Sequence, residues 1–280
     1  MCGRYTSTST VSDLADLFEV DEVRVEPMPP RYNVAPTLQV YAVALRRAPD
    51  DRQTGGNGPR RALGAFRWGL VPSWAKDPSV GARMINARSE GITEKPAFRA
   101  AMARRRCLIP ADAFYEWQRR QSSGGRPAGR LPYAVRRKDG RPMAFAGLWE
   151  VWRDPNDPAA EPLRTCAIVT TRANGLVAPI HDRMPVVLAP EVWAAWLDPA
   201  TDAAAVERLM SPAPSEWFEA FPVGTLVNKV TNEGPRLLDP LPRPPAGSEA
   251  QVPPGADHRG GAEDLEASLF GGLAVEHPEV

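Results

Sequence analysis

The sequence predicts an α+β fold, a single domain around a strongly bent, barrel-like mixed β-sheet with short peripheral helices. Three observations lead there. Most apolar runs are short and end at turn residues, as strands do. Strands and helices do not alternate regularly, which argues against a doubly wound nucleotide fold. No glycine-rich phosphate loop is present.

The elements follow in order. Thr10 can cap a first helix, because Asp13 sits three residues on and Val11, Leu14, Leu17 and Phe18 repeat at helical spacing. Residues 38–45, 63–71, 106–117 and 163–171 are short, apolar and bounded by turn residues, and read as strands. Residues 133–137 and 142–152 flank Lys138-Asp139-Gly140-Arg141, where Asp-Gly signals a tight hairpin. A helix is expected over 94–103, with two more over 191–197 and 202–210. Three polar insertions, 47–60, 119–130 and 153–161, read as surface loops.

Residues 1–239 form the expected domain, since no linker divides them. Residues 240–280 read as a disordered, acidic, Pro/Gly-rich tail, with Pro240, Pro242, Pro244, Pro245, Pro253 and Pro254. The whole chain has 34 basic and 34 acidic residues, of which the tail takes two and seven, so residues 1–239 keep 32 and 27, a net of +5. A mildly basic body is compatible with an anionic partner and equally with an ordinary solvated surface. No apolar stretch approaches a membrane span, and no secretory leader is expected after Met1. The cysteines Cys2, Cys107 and Cys166 are odd in number and widely spaced, without zinc-like spacing, so a reducing cytoplasm fits. Cys107 and Cys166 lie in apolar strands and read as core residues.

Cys2 carries the sharpest chemical signal, in Met1-Cys2-Gly3-Arg4-Tyr5. A small residue after an initiator methionine permits its removal, which would leave Cys2 with a free α-amine beside its thiol. Such a 1,2-aminothiol captures an aldehyde first as an imine, then as a five-membered thiazolidine. An α-amine titrates near about 7.7–8.0, so much of it is nucleophilic once slightly depressed. The plain alternative is a cysteine in a frayed terminus.

Four further segments place polar groups in apolar or turn-like settings. Asn33, in Arg31-Tyr32-Asn33-Val34-Ala35-Pro36, is either turn chemistry or a residue that shapes a pocket. Asn86 and Arg88 would share one face of an extended stretch, suited to a hydroxyl and a phosphate, or else belong to a capped turn. Glu116, in Phe114-Tyr115-Glu116-Trp117, would gain a raised pKa if buried among aromatic rings, or else points to water from an edge strand. His181, between Pro179 and Pro185, is the only histidine of residues 1–239. It reads as a proton shuttle or as a loop histidine paired with Asp182.

These segments, with Trp68-Gly69-Leu70-Val71-Pro72, occur in the order seen in the SOS response-associated peptidase (SRAP) family, which residues 2–238 resemble. The resemblance implies that the protein traps abasic sites in single-stranded DNA as a covalent thiazolidine crosslink at the mature N-terminal Cys2, with autocatalytic removal of Met1. It implies that Asn86 holds the sugar and the terminal cysteine, that Glu116 handles protons at the amine and the ring oxygen, and that His181 assists ring opening and reversal. Arg88 matches a phosphate-gripping arginine and Trp74 an aromatic where bases unstack. Arg4, Asn33, Thr170 and Arg183 complete the implied DNA-binding set. No metal or organic cofactor is implied. The expected partner is single-stranded DNA containing abasic sites, bound by a cytoplasmic monomer that joins the nucleoid at damage. The same residues leave two rivals open: a cysteine peptidase acting on other proteins, and a non-covalent single-strand binding module that would survive loss of Cys2.

Overall fold

A computed structural model describes residues 2–46, 59–121 and 127–242. The elements are β1 (Arg4–Ser7), α1 (Val11–Leu17), β2 (Glu22–Val23), β3 (Arg31–Val34), β4 (Gln39–Arg46), β5 (Arg60–Trp68) and β6 (Asn86–Arg88). Then come α2 (Arg99–Arg104), β7 (Arg106–Ala111), β8 (Ala113–Gln121), β9 (Pro127–Arg137), β10 (Met143–Trp152) and β11 (Leu163–Arg172). The last are β12 (Arg183–Pro185), α3 (Trp193–Leu197), α4 (Ala203–Leu209) and β13 (Phe218–Pro222). The chain through Leu241 forms one compact unit. The expected tail from residue 243 on, and residues 47–58 and 122–126 of two expected loops, lie outside the described residues.

The expected α+β class and bent sheet are both present. β5, β4, β7, β10 and β11 pair in succession as antiparallel neighbours, and a parallel β11–β5 pairing closes the ring. One edge of β11 meets β10 and then β12; the other meets β5 and then β6. A second sheet, ordered β13-β9-β8-β1-β3, lies beside this barrel. Alternation explains the packing. Val40, Ala42, Cys107, Ile109, Phe145, Cys166 and Ile168 join Tyr5, Phe114 and Phe218 of the second sheet in one core. The intervening Tyr41, Val43, Leu108, Ala146 and Val169 pack against the four short helices. Cys107 and Cys166 are buried free thiols, as their strands implied.

The Thr10 cap forms as expected: Asp13 N–H donates to Thr10 Oγ1 at 3.1 Å, and Thr10 N–H donates to Asp13 Oδ2 at 3.3 Å. Phe18, just beyond α1, stacks on Trp193 with centroids 4.6 Å apart.

Three expectations need correction. The strand expected over 106–117 is two strands in different sheets, broken at Asp112, whose carboxylate accepts from Thr8 N–H, Thr8 Oγ1, Ser9 N–H and Ser9 Oγ. The strands on either side of Asp139-Gly140 do not pair with each other. The turn forms, with Gly140 at φ +71, but it hands the chain from β9 in one sheet to β10 in the other. The helix expected over 94–103 begins only at Arg99, because Lys95 precedes a proline and is disfavoured in helical backbone.

One glycine approach positions the site. Gly69, at φ +130, packs so closely on Gly81 that a Cβ there would sit 2.6 Å from the Gly81 carbonyl oxygen. The contact lets Leu70 N–H reach Met84 O and Trp68 Nε1 reach Ile85 O, and so sets Asn86 in register opposite Ile168.

Candidate active site

Cys2 lies two residues before β1 and is fully buried in the core between barrel and second sheet. Its backbone carbonyl accepts from Asn86 Nδ2 at 2.8 Å. Burial pushes the thiol well above its ordinary range, and the neighbouring Glu116 carboxylate adds to that. The resting sulfur is therefore a neutral thiol.

Glu116 belongs to β8, which pairs directly with β1. Alternation turns it to the same side as Phe114, into the core that holds Cys2, and away from Tyr115 and Trp117. It is 2% exposed. Burial raises its carboxyl to about 7. The edge-strand alternative, a glutamate facing water, is not what the backbone delivers.

Asn86 and Arg88 lie on the extended β6, with buried Ala87 between them. Asn86 Oδ1 and the hydroxyl of fully buried Thr170 have no hydrogen-bond partner among the described residues. Two buried polar atoms left open, one of them on the side chain that bonds Cys2 O, suit a polar guest. Arg88, paired across from Thr170, is exposed, and its side chain bonds no described residue.

His181 ends a compact turn. Asn174 Oδ1 accepts from Leu176 N–H and Val177 N–H, Asn174 Nδ2 donates to Ala213 O, and His181 N–H donates to Val177 O. The imidazole Nδ1 accepts from Arg183 N–H at 2.9 Å and lies 3.0 Å from Asp182 Oδ1. Burial pulls the histidine below its ordinary pKa, so the ring is neutral at physiological pH.

Arg183 is engaged. Its guanidinium grips Glu90 at 2.7 and 2.8 Å and Thr170 O at 2.6 Å. Through that bidentate grip the Glu90 carboxyl falls to about 2. Arg4 and Asn33 are also engaged, on the Tyr115 side of the second sheet. Arg4 donates to Asn33 Oδ1, Val227 O and Asn228 O, and Asn33 Nδ2 donates to Val227 O, Lys229 O and Asn232 O. Trp74 stands apart, 65% exposed, on a loop anchored where Trp152 Nε1 donates to Ala75 O.

The structure thus gathers Cys2, Asn86, Glu116, His181, Thr170 and Arg183, and sets Arg4 and Asn33 in a neighbouring tie. Sequence reasoning missed Asn174 and Glu90. Asn174-Gly175 was a legible turn signal; Glu90, two residues after Arg88, gives no signal of its own without its distant partner Arg183. Among the described residues no cluster of His, Cys, Asp or Glu is placed to hold a metal ion, and no helix is long and apolar enough to cross a membrane.

The sequence matches the family described as SOS response associated peptidase (SRAP) over residues 1–230. It is 40% identical over 241 residues to the abasic site processing protein YoqW of Bacillus subtilis (strain 168), covering 85% of this chain and 99% of that one. It is 33% identical over 231 residues to the abasic site processing protein HMCES of Gallus gallus, covering 76% and 66%. Among solved structures, a protein from Bacteroides thetaiotaomicron shares the fold with TM-score 0.71 at 23% identity, over 86% of this chain and all of that one.

Proposed function

Because the chain belongs to the SOS response associated peptidase family, we propose that it processes abasic sites in DNA, capturing them in single strands as a covalent thiazolidine at a mature, autocatalytically exposed Cys2. One observation carries this reading. A buried carboxyl that titrates at about 7 adjoins Cys2, whose own carbonyl is pinned by Asn86.

The chemistry balances without an oxidant. The Cys2 amine adds to the C1′ aldehyde of the opened sugar, and loss of water gives an imine. The thiol then adds across the C=N bond; sulfur bonds to C1′ and the thiol proton ends on nitrogen. Glu116, half ionised near neutrality, accepts a proton from the attacking amine and returns it to the departing hydroxyl. The raised thiol pKa keeps sulfur quiet until the imine stands beside it. Neutral His181 is suited to assisting ring opening and the reverse reaction. Asn86 Oδ1 and the Thr170 hydroxyl offer open partners to the sugar. Exposed Arg88 suits a phosphate, and exposed Trp74 a stacked base. With no base to pair, an abasic sugar rotates into such a pocket readily. We assign the action to a monomer in the cytoplasm that joins the nucleoid at damage.

The test is a denaturing gel of the protein with single-stranded DNA carrying one abasic site. A shifted band is expected from protein lacking Met1, and none from Cys2→Ala. No band from wild-type protein that mass spectrometry shows to start at Cys2 overturns the reading.

A further inference from the structure

β8 continues past the site. Glu116 is followed on the same strand by Trp117, Gln118, Arg119 and Arg120. β9 still pairs there, with Gln118 opposite Leu131 and Arg119 opposite Arg130. β1 does not: its register with β8 ends at Tyr115. A direct bond ties this outer stretch to the site. Gln118 Nε2 donates to Pro179 O at 3.0 Å, joining the strand two residues beyond Glu116 to the loop two residues before His181. The Arg119 charge also reaches His181, where it adds to the lowering of the imidazole pKa.

The arm gathers cations without compensating them. Arg119, Arg120 and Arg130 are exposed, and among the described residues none of their guanidiniums has a hydrogen bond or an ion pair. Elsewhere on the same sheet arginines are compensated: Arg136 pairs with Glu219, and Arg137 with Asp139. Asp182, on the loop that Gln118 grips, lies 3.0 Å from His181 Nδ1 and pairs with none of the three. Arg119 and Arg130 sit directly opposite each other on antiparallel strands, where like charges are destabilising. The fold gains nothing from that pair. A polyanion lying along the arm would neutralise it.

We propose that Arg119, Arg120 and Arg130 form a phosphate track for the DNA strand as it leaves the abasic site past His181, with Gln118 holding the track in line with the site. The proposal rests on the abasic-DNA function above. Gln118 is then a positioning residue, acting through the loop it grips, and the three arginines are backbone contacts that carry no sequence information.

The test is a salt-dependent titration of the full chain with single-stranded DNA carrying a tetrahydrofuran abasic analogue, which has no aldehyde and reports non-covalent binding alone. Arg119→Gln with Arg130→Gln should lower the slope of log affinity against log salt by about 1.4, roughly 0.7 for each charge on a single strand. Its melting temperature should stay level or rise, because a repulsive pair is removed. Arg119→Lys with Arg130→Lys keeps both charges and should keep the wild-type slope. The loss should appear with DNA that extends from the analogue on one side and vanish with DNA that extends only on the other. A wild-type slope in the double glutamine variant overturns the track, as does a loss equal for the two half-length DNAs. A drop in melting temperature overturns the repulsion on which it is argued. Failure of the wild-type protein to crosslink aldehyde-bearing DNA overturns the function itself, so the two failures are separable.

Discussion

Replacing Glu116 by glutamine keeps shape and removes the titration. An ordinary glutamate titrates near 4.5, whereas burial holds Glu116 at about 7. The difference corresponds to roughly 3 kcal/mol against the ionised form in the folded protein. The sign follows from the raised folded pKa. Its stabilising effect is complete below the unfolded value near 4.5 and is lost as pH rises through about 7. Glu116→Gln should therefore match wild-type stability near pH 4.5 and exceed it increasingly towards pH 8, by at most roughly 3 kcal/mol. For a domain of this size that is roughly 6–12 °C in Tm. Activity should move the other way. Loss of a positioned general acid–base lowers rate by about 10²–10⁴-fold. Single-turnover crosslinking of aldehyde-bearing DNA from pH 5.5 to 8.5, beside thermal melts, reads both. Wild type should show an inflection near pH 7 that the variant lacks. A variant that crosslinks at the wild-type rate, or that retains the inflection, refutes the role. A variant no more stable at pH 8 than wild type refutes the buried-carboxyl argument.

Three further outcomes are expected. Arg88→Gln, at an exposed guanidinium that bonds no described residue, should leave the melting temperature unchanged and lower the salt slope of DNA binding by about one, measured by titration at several salt concentrations. Glu90→Gln should remove an ion pair whose acid carries a lowered pKa. That contribution is present above the ordinary carboxyl range and is lost as pH falls through about 2. It amounts to about 1 kcal/mol after screening of the half-exposed carboxylate, visible as a smaller loss of stability on acidification. Gly69→Ala should destabilise the domain by about 2–4 kcal/mol in chemical denaturation, since it combines φ +130 with a 2.6 Å approach to Gly81 O.

Local signals were legible in the sequence and non-local ones were not. The Thr10 cap needs only residues 10–18, and it forms as read. The barrel strands announced themselves because each is apolar on both faces. Their partners were hidden. An Asp-Gly turn looks the same whether it joins paired neighbours or passes the chain between sheets. The break at Asp112 depends on Thr8 and Ser9, more than a hundred residues earlier. At the site, residue types raised Cys2, Asn86, Glu116 and His181 as candidates, and the roles expected of them came from the family resemblance. Which side of the second sheet each residue faces came only from the β1–β8 register, and that register sets Glu116 with Cys2 while sending Arg4 to the opposite side.

That division of sides bears on how DNA would be recognised. The resemblance made Arg88 a phosphate grip and put Arg4 and Arg183 in the implied DNA-binding set. Arg4 holds backbone carbonyls and Asn33; Arg183 holds Glu90 and Thr170 O and, through its own N–H, the imidazole of His181. Only Arg88 is left open to solvent without a protein partner among the described residues. Arginine's fork geometry suits this internal use, since one guanidinium fixes several acceptors at once. Of these three, Arg88 alone is placed to add to the salt slope of DNA binding, by about one charge. On the proposed function, discrimination would come instead from the need of a Cys2 aminothiol for an aldehyde. A protein built so would tolerate variation of surface charge away from its DNA contacts. On the proposed function it would not tolerate displacement of the Glu90–Arg183–His181 chain or of the Asn86–Cys2 bond, which hold His181 and Cys2 to strands of the barrel.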